Sequence, residues 1–445
     1  MIRKLTCILL LSIQFCAHAQ NWMAPQGQFN NETHCFYNDT ATGEFFVTGS
    51  FTMIDAVPAH GIAKWNGTNW INAFASTGNS SVGQLNKFQG EYYITGTANS
   101  ALCKWDGSAW QPFGVPDWNG GVSATYNDGD SVLYVMGSFT SVNSVAASCV
   151  IKFDGTSWSA VDTLVWNGGG FGAAIRYQGE MYFCGNAYNT SQNLKKLVRW
   201  NGSTWQSLNN PINGNLCWVN CFCVYNNDLY VGGYFDVATG NPGNFIARWD
   251  GLSWTQVGGG MTGGQVWGMK VFNNDLWVTG QYTGAGGLPS TSSSYLAKFN
   301  GLDWCAVGEF SLPVLPIEVY NGELYVGSTY YLAIDGDTMN SVVKWIGGNY
   351  TDTCGHLSIG VDEVNSDMNL NLFPNPSSTE ITFQFSNMNE RELIISDVFG
   401  REVFRKAISE SQEVINVISF SEGIYFYSIA EDGEVKSQGK FIIER

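Results

Sequence analysis

Apolar and polar residues alternate on both sides of a polar turn in residues 245–261, FIARWDGLSWTQVGGGM. Asp250-Gly251 is a dipeptide that two-residue hairpin turns favour, because both central residues of a type I′ turn have positive φ. Such a turn would stagger the flanking tryptophans, whereas a four-residue loop would pair Trp249 directly with Trp254. In both registers the two indoles share one face of the hairpin, since the side-chain period of a strand is two. The segment therefore predicts a hairpin with an aromatic face that has to be buried.

The same pattern recurs along the chain. The repeated segments are KWNGTNW (64–70), KWDGSAW (104–110), KFDGTSW (152–158), RWNGSTW (199–205), RWDGLSW (248–254), KFNGLDW (298–304) and a degenerate KWIGGNY (344–350). Their closing aromatic residues are 40, 48, 47, 49, 50 and 46 residues apart. A second apolar motif precedes each one: FFVTG (45–49), YYITG (92–96), LYVMG (133–137), MYFCG (181–185), LYVGG (229–233), LWVTG (276–280) and LYVGS (324–328). Each unit therefore reads as strand, turn, strand, long loop, strand, turn and strand.

Four antiparallel strands at this period are the signature of a β-propeller blade. A single four-stranded sheet cannot bury both of its faces, so blades stack around an axis, and the paired tryptophans are expected to fill the wedge between outer strands. The closing strand of the last unit, NYTDTC, is degenerate, and NWMAPQGQF (21–29) near the N-terminus resembles the missing strand. We therefore expect an all-β fold with a seven-bladed β-propeller over residues 20–352 and with Trp22 in the blade that closes the ring.

The repeats resemble kelch-like propellers, in which a glycine follows the second strand and aromatic residues mark the later strands. Kelch units usually carry a diglycine at that point, and here only Gly232-Gly233 supplies one. WD-repeat propellers fit less well, because the Trp-Asp pair of this chain ends the third strand without the usual Gly-His.

Composition and charge indicate an exported protein. The chain has 52 glycines and 17 tryptophans but only 13% charged residues, which suits short turns between strands. Its net charge of −17 argues against nucleic-acid binding, which requires a basic face. Residues 1–19 read as a secretory signal peptide, with Arg3 and Lys4 before an apolar stretch and an Ala-His-Ala cleavage site that ends at Ala19. No other segment is long and apolar enough to span a bilayer, so no transmembrane segment is expected.

Nine of the eleven cysteines remain once Cys7 and Cys16 leave with the signal peptide. An odd number leaves at least one thiol unpaired or paired between chains, and the sequence does not reveal the pairing. Cys217, Cys221 and Cys223 lie close together, but without a CxxC spacing or a histidine. Buried structural thiols and a metal site are both compatible with this group.

The repeat stops before the C-terminus. Residues 353–369 are polar and read as a linker, and residues 370–445 alternate apolar residues with Asn-Pro, Phe-Gly and Asp-Gly turns. This alternation predicts a small immunoglobulin-like β-sandwich of about six or seven strands.

Four motifs follow one another in this tail: Pro374-Asn375-Pro376, Asp397 with Gly400-Arg401, Gly423-Ile424-Tyr425, and Lys440-Phe441. In this order they resemble the type A C-terminal sorting domain of proteins exported by the type IX (Por) secretion system of Bacteroidota. The resemblance implies recognition by that machinery, removal of the tail, and release or attachment to surface glycolipid. An extracellular or outer-membrane surface location follows as an expectation. An ordinary immunoglobulin-like domain is the alternative.

The propeller region offers little for catalysis. His34 and His60 are its only histidines, which is too few for a galactose-oxidase-like copper site. Arg199 and Arg248 occupy the repeated Lys or Arg position, so Arg176 is left without the arginine cluster that a sialidase-like site needs. No GxSxG elbow or phosphate-binding loop occurs. We therefore expect no catalytic residues and no cofactor in a module that binds rather than reacts.

Two groups of residues remain as candidates for ligands. Asp335, Asp337 and Asn340 supply oxygen atoms of the kind that calcium binds, although a glycine-containing surface turn is the preferred explanation. Four tryptophans lie outside the repeated hairpin, near the start of a first strand, which is the innermost strand of a blade: Trp118, Trp166, Trp218 and Trp267. Rings exposed at the mouth of the channel could stack on sugars, as in lectin-like propellers, whereas buried rings would only fill the channel wall.

Three functions are compatible with these features. The first is a glycan- or protein-binding adhesion module at the cell surface. The second is a secreted carbohydrate-active enzyme, a lyase or glycoside hydrolase, on a propeller scaffold. The third is a structural role in a surface layer. A cluster of carboxylates with an adjacent base at the channel mouth would favour the enzyme, and an aromatic platform without one would favour binding.

Overall fold

The computed structural model describes residues 21–74, 81–96, 102–113, 120–208, 212, 218–288, 290–329, 331–347, 354, 370–385, 390–397, 401–431 and 434–444. Several features discussed above lie outside these residues: the signal peptide, Trp118, Cys217, Gly400 and all of the linker except Cys354. The chain divides into two compact units, Met1–Gly355 and His356–Arg445.

The first unit contains seven four-stranded antiparallel sheets within its described residues. In sheets 1 to 6 the four strands follow one another along the chain, and each pairs with the next. Their strands are Thr33–Asp39, Glu44–Gly49, Ile62–Trp65 and Trp70–Asn72 (sheet 1); Leu85–Phe88, Glu91–Ile94, Cys103–Trp105 and Trp110–Pro112 (sheet 2); Val122–Asp128, Val132–Gly137, Val150–Phe153 and Trp158–Ala160 (sheet 3); Asn167–Tyr177, Glu180–Asn189, Leu194–Trp200 and Trp205–Ser207 (sheet 4); Trp218–Tyr225, Asp228–Tyr234, Ile246–Trp249 and Trp254–Gln256 (sheet 5); and Gln265–Phe272, Asp275–Gln281, Leu296–Phe299 and Trp304–Ala306 (sheet 6).

Sheet 7 combines strands from the two ends of the unit. Its first three strands are Val314–Tyr320, Glu323–Ser328 and Val342–Trp345, and its fourth is Trp22–Met23. Trp22 pairs with Trp345. The strand near the N-terminus therefore completes the last sheet, as the sequence predicts.

The sheets are neighbours in chain order. The first strand of each sheet lies beside the first strand of the next, and the first strand of sheet 7 lies beside that of sheet 1. We call these seven strands the first-strand ring, and the end at which they begin its upper end. Apolar side chains of consecutive sheets share a core, as when Tyr134 and Met136 of sheet 3 pack with Phe171 and Trp205 of sheet 4. Each sheet thus buries its apolar faces against its two neighbours.

The repeated hairpins have the four-residue loop. Trp249 pairs directly with Trp254, and the hairpins of sheets 1 to 4 and 6 pair their aromatic residues in the same register. The tight type I′ turn is therefore the wrong alternative. Asp250 accepts a hydrogen bond from the backbone N–H of Leu252 at 2.7 Å, and Gly251 has a φ of 102°. The aspartate side chain thus closes the loop as an Asx turn.

The closing tryptophans of sheets 5 and 6, and Trp22 in sheet 7, each form a hydrogen bond to the preceding sheet. The indole N–H of Trp304 donates to the carbonyl oxygen of Val257, the residue after the fourth strand of sheet 5, at 3.3 Å. Trp254 makes the equivalent bond to the carbonyl after the fourth strand of sheet 4. Trp22 forms the same hydrogen bond between sheets 7 and 6, because its indole N–H donates to the carbonyl oxygen of Val307 at 2.8 Å. The tryptophans therefore fill the wedge between the outer strands, as predicted.

Other repeated residues have structural roles. Thr279 in the second-strand motif of sheet 6 donates its hydroxyl to the carbonyl oxygen of Leu315, at the start of sheet 7, at 2.9 Å. Arg199 and Arg248, at the repeated basic position, pair with acidic residues on the second strand of their own sheets, at 3.2 and 3.5 Å. The arginines thus belong to the repeat, in agreement with the sequence analysis.

Short elements occupy the loops. Four two-stranded pairs are Met53–Ile54 with Val57–Pro58, Ser141–Val142 with Val145–Ala146, Met261–Thr262 with Gly284–Ala285, and Ala333–Ile334 with Asp337–Thr338. Val237–Thr239 forms a 3₁₀ turn and Ser290–Ser293 a single helical turn. In the described part of the chain, no helix has the length and apolar character needed to cross a membrane.

The cysteines of the first unit include one disulfide among the described residues, between Cys305 of sheet 6 and Cys354. Cys221 and Cys223 are free thiols on the first strand of sheet 5. Burial raises the pKa of Cys223 to about 11, which keeps this thiol protonated at neutral pH. Of the described residues, none form a cluster of three or more His, Cys, Asp or Glu side chains able to hold a metal ion.

The second unit consists of two sheets within its described residues. One has three strands in the order Leu370–Phe373, Glu380–Phe385 and Gln412–Asn416, and the other has four in the order Glu402–Ile408, Arg391–Ser396, Gly423–Glu431 and Glu434–Ile443. Phe383 and Ile415 of the first sheet pack in one core with Leu393, Ile429 and Phe441 of the second. The alternation of apolar residues in the sequence places this core between the sheets.

Candidate functional site

The upper end of the first-strand ring carries unpaired residues. The first strands of all sheets except sheet 2 contain a β-bulge near their start, and a bulge leaves at least one residue outside the ladder. These residues include His34, Ser123, Gly172, Asn220 and Trp267. The ring therefore presents side chains from several sheets at one end.

A cavity of about 310 Å³ opens at this end between the first strands of sheets 3, 4 and 5. Its wall includes Ser123, the glycine-rich segment 169–172, Asn186, Trp218 and Asn220. None of its described lining residues carries a charged side chain. The wall therefore combines an indole ring with hydroxyl, amide and backbone groups.

Sheet 4 forms one side of this cavity because its first two strands are unusually long, at 11 and 10 residues. Gly168 and Gly170 adopt positive φ angles of 89° and 82°, which the double bulge of the first strand requires. A β-carbon at Gly170 would lie 1.9 Å from the carbonyl oxygen of Gly137, so no other residue fits there. The glycine run thus brings bare backbone to the cavity.

Trp218 forms the aromatic wall and is 37% exposed. Its ring stacks on that of Tyr234, with ring centroids 4.9 Å apart and an angle of 22° between the planes. Its indole N–H donates to Oε1 of Gln265 at 3.2 Å. One face of the indole is therefore covered and its orientation is fixed, which leaves the other face for the cavity.

A third ring supports this pair. Tyr234 packs against Phe245, with ring centroids 5.8 Å apart. Phe245 has a φ of 62°, at the position before the third strand where sheet 1 has Gly61. Cys149 and Tyr295 adopt positive φ at the same position, so this backbone conformation belongs to the repeat. The feature specific to sheet 5 is that the residue at this position, Phe245, packs its ring against Tyr234.

The amides of the cavity differ in the groups that they offer. Asn220 donates its Nδ2 hydrogens to the carbonyl oxygen of Val266 at 2.9 Å and to Oε1 of Gln265 at 3.3 Å. This leaves its Oδ1 atom as a hydrogen-bond acceptor. Asn186 is exposed and, among the described residues, has no hydrogen-bonding partner for its side chain. Ser123 is also exposed, so the wall offers both donors and acceptors.

A polar cluster lies at the same end on sheet 1. His34 Nδ1 lies 3.0 Å from the carbonyl oxygen of Val82, which makes Nδ1 the protonated nitrogen. His34 Nε2 lies 3.1 Å from Ser50 Oγ and 3.4 Å from Glu32 Oε2. A carboxylate, an imidazole and a hydroxyl therefore lie together at this end of the ring.

The predicted channel tryptophans have different environments. Trp166 is only 4% exposed, and its ring centroid lies 4.9 Å from Phe171 and 5.1 Å from Trp205. Trp166 is therefore a packing residue, and the suggestion that it stacks on a ligand is wrong. Trp267 is half-buried in the bulge of sheet 6, and Trp118 lies outside the described residues.

The calcium candidates make backbone contacts typical of a surface turn. Asp335 accepts a hydrogen bond from the backbone N–H of Glu309 at 2.7 Å. Asn340 donates to the carbonyl oxygen of Pro25 at 3.1 Å. Asp337 is exposed on a two-stranded pair. These contacts favour the surface-turn interpretation.

The first motif of the sorting segment holds the last strand of the second unit. Asn375, between Pro374 and Pro376, accepts a hydrogen bond from the backbone N–H of Ile442 at 2.9 Å. The backbone N–H of Ser377 donates to the carbonyl oxygen of Ile442 at 2.8 Å. The start and the end of the segment are therefore joined, although they are far apart in sequence.

The other sorting motifs lie on turns and strands around this core. Arg401 forms an ion pair with Asp397, with Nη2 2.6 Å from Oδ2, and closes the turn between two strands. Gly423 begins the third strand of the four-stranded sheet with a φ of 144°. Lys440 is exposed on the last strand opposite Phe426. The motif residues thus shape turns or face solvent.

Sequence analysis missed the residues that surround Trp218. Asn186 and Tyr234 follow the second-strand motifs of sheets 4 and 5, but nothing in the motifs themselves marks them. Asn220 lies two residues after Trp218, and only the bulge places it at the cavity. The one usable signal was the glycine run 168–172, which lies inside the first strand of sheet 4.

Comparison with known proteins identifies the C-terminal segment. Residues 371–444 match the secretion system C-terminal sorting domain family. No curated protein matches the chain. The sorting domain marks the protein for secretion to the cell surface or the extracellular space.

Solved structures similar to this chain include β-propellers and bacterial surface proteins. PorZ, a surface component of the type IX secretion system of Porphyromonas gingivalis, is 13% identical with a TM-score of 0.44 over 95% of this chain and 61% of that protein. The extracellular domain of a putative hybrid two component system from B. thetaiotaomicron is 12% identical, with a TM-score of 0.48 over 95% and 59%. The WD40 β-propeller domain of Doa1 is 10% identical, with a TM-score of 0.46 over 73% and 95%. This chain thus spans about three fifths of the first two proteins.

Proposed function

We propose that this protein is an exported, non-catalytic binding protein of the cell surface. In this proposal a signal peptide (1–19) precedes a seven-bladed, kelch-like β-propeller (20–352), a linker (353–369) and an immunoglobulin-like sorting domain (370–445). The seven four-stranded sheets support the propeller, because the first strand of sheet 7 lies beside the first strand of sheet 1. The type IX secretion machinery is the partner of the sorting domain, through the motifs that include Pro374, Asn375, Pro376, Gly400, Gly423 and Lys440.

The observation that carries the binding role is the stacked pair of Trp218 and Tyr234 beside an uncharged cavity. Large aromatic rings are usually mostly buried, and contiguous exposed apolar patches mark interaction sites, so two stacked and partly exposed rings are more informative than a single one. Trp218 is held in place by a hydrogen bond and by a neighbouring ring, so it loses little conformational freedom when a ligand binds. The ligand is a glycan or a surface protein that reaches the upper end of the ring.

A binding assay with variants tests this role. The chain without its signal peptide would be applied to a glycan array and to purified surface proteins, beside Trp218→Ala and Tyr331→Ala. Tyr331 is the matched control, since it is an exposed ring, at 52%, outside the cavity. We expect Trp218→Ala to lose binding and Tyr331→Ala to keep it, with both variants folded. Equal binding by all three proteins would contradict the proposed site.

A second candidate function is a secreted lyase or glycoside hydrolase. The observation that favours it is the group of Glu32, His34 and Ser50, a carboxylate and a base at the same end of the ring. The test is to incubate the protein with each glycan that it binds and to analyse the products by chromatography. Cleavage that is lost in Glu32→Gln, while binding remains, would replace the binding proposal with an enzymatic one.

A further inference from the structure

We infer that the cavity beside Trp218 binds a neutral saccharide, with a sugar ring on the free face of the indole and sugar hydroxyls bonded to Asn186, Asn220 and the glycine run 169–172. This inference rests on the proposed function and narrows the ligand to one chemical class. It follows from the size, polarity and rigidity of the site.

The size of the cavity suits a small ligand. Ligand pockets range from about 300 to 1,000 Å³, and this one, at about 310 Å³, is at the lower limit. One or two sugar rings of a longer glycan would enter it, while the rest of the chain extends into solvent. A folded protein could insert no more than a side chain or two.

The polar groups match hydroxyls. A sugar hydroxyl donates one hydrogen bond and accepts others, so it pairs with amides in either direction. Asn220 offers an acceptor because its Nδ2 atom is bonded to Val266 and Gln265. Asn186 offers both a donor and an acceptor, and Ser123 supplies a hydroxyl. The residues Gly169 and Gly172 lie in bulges, where their backbone groups are outside the ladder.

The uncharged lining of the cavity disfavours acidic sugars. Lys87, on the first strand of sheet 2, and Arg176, on the first strand of sheet 4, lie towards the lower end of the ring. Both are already paired, Lys87 with Asp39 at 2.6 Å and Arg176 with Asp128. None of the described residues that line the cavity carries a charge, and Lys195 and Lys196, on the neighbouring third strand of sheet 4, are not among them. A uronic or sialic acid in the cavity would lose hydration without gaining a cation, which is unfavourable. An uncharged sugar has no such penalty.

The indole is suited to a sugar ring rather than to an anionic group. The face of an aromatic ring carries partial negative charge and attracts the polarised C–H groups of a sugar face. Tyr234 and Gln265 fix Trp218 before the ligand arrives, so binding needs little reorganisation. Asn186 lies over the glycine run, 3.5 Å from the position of a β-carbon on Gly169, on the sheet 4 side of the cavity. The ring platform and the hydrogen-bonding groups thus surround one space.

The experiment uses the chain without its signal peptide and matched pairs of glycans. Each pair has a neutral oligosaccharide and the same backbone with one uronic or sialic acid. The variants are Trp218→Ala, Asn186→Ala and the control Tyr331→Ala, with thermal unfolding to verify that each is folded. We expect saturable binding of at least one neutral glycan, a loss of at least tenfold in Trp218→Ala and Asn186→Ala, and no change in Tyr331→Ala. The acidic member of that pair should bind at least tenfold more weakly.

The outcomes separate this inference from the proposed function. Acidic glycans that bind as tightly as neutral ones, or more tightly, would overturn the inference and leave the binding function intact. Trp218-dependent binding of a purified surface protein, without binding of any glycan, would have the same consequence. Glycan binding that survives Trp218→Ala would overturn the site itself. Failure to bind any glycan or surface protein would overturn both proposals.

Discussion

Replacement of Trp22 by alanine removes a fully buried indole from the strand that completes sheet 7. The indole contacts three other rings, with centroid distances of 5.0 Å to Trp345, 5.3 Å to Phe310 and 6.2 Å to Trp277. These neighbours lie on or near sheets 6 and 7, so the ring packs where two sheets meet. Its N–H also donates to Val307 at 2.8 Å.

The magnitude follows from these contacts. Truncation of a buried tryptophan to alanine costs about 3–5 kcal/mol, because apolar contacts are lost and a cavity remains. The unpaired carbonyl of Val307 places Trp22→Ala near the upper limit. An unfolding entropy of about 2.1 cal/mol/K per residue over roughly 330 residues converts this to a fall in Tm of about 4–7 °C. Trp22→Phe keeps most of the apolar contact and loses the hydrogen bond, so we expect about 1–3 kcal/mol.

The assay is equilibrium unfolding in urea, followed by tryptophan fluorescence. All 17 tryptophans lie at or before Trp345, so their emission reports on the first unit alone. Met23→Ala is the matched control, because Met23 is on the same strand but is exposed. A change below about 1 kcal/mol in Trp22→Ala, or equal destabilisation by Met23→Ala, would refute the assignment of this strand to sheet 7.

Three further predictions concern other parts of the chain. Hydrogen bonds from backbone N–H groups lower the pKa of the aspartates in the repeated hairpins. The ionised aspartates therefore stabilise the folded protein above the unfolded-state pKa of about 3.9, and this contribution is lost as the pH falls below that value. Asparagine occupies the same position in other hairpins and makes the same Asx bonds without the charge. We therefore expect the triple Asp-to-Asn variant, at Asp106, Asp154 and Asp250, to be less stable than the native protein at pH 7 and to lose less stability as the pH falls, as measured by thermal unfolding. Cys354→Ala opens a disulfide that spans 49 residues and should destabilise the first unit by about 2–4 kcal/mol in urea, whereas addition of a reductant should affect only the native protein. Asn375→Ala removes a hydrogen bond to the last strand of the second unit and should destabilise that unit by about 1 kcal/mol in urea, followed by circular dichroism. It should also reduce the amount of protein exported, whereas Gln384→Ala, at an exposed position of the same unit, serves as a control.

Much of the repeat could be read from local patterns. The aromatic hairpins, the second-strand motifs and the role of the arginines all depend on residues within one unit, where period-two alternation decides which side chains share a face. The place of Trp22 was also predictable, because the N-terminal strand resembles a fourth strand and the last unit has a degenerate one. The hairpin register was not, since Asp-Gly satisfies either loop and the Asx bond decides between them.

The candidate site depended on contacts that the sequence does not encode locally. Trp166 and Trp218 both lie at the start of a first strand, yet one is buried and the other is exposed. The difference arises from neighbouring elements: Trp166 packs on Trp205 of its own sheet, while Trp218 meets Tyr234 and the extended strands of sheet 4. No repeat pattern contains this information.

The sequence by itself determined the strands, their period, their faces and the separate C-terminal unit, because these follow from side-chain alternation and turn residues that act over a few positions. Only the tertiary structure decided which sheets become neighbours, where bulges release Asn220 from the ladder, and how Trp218 meets an uncharged cavity. The physical reason is that packing joins residues from different units, and each of those residues is compatible with several environments until its neighbours are in place.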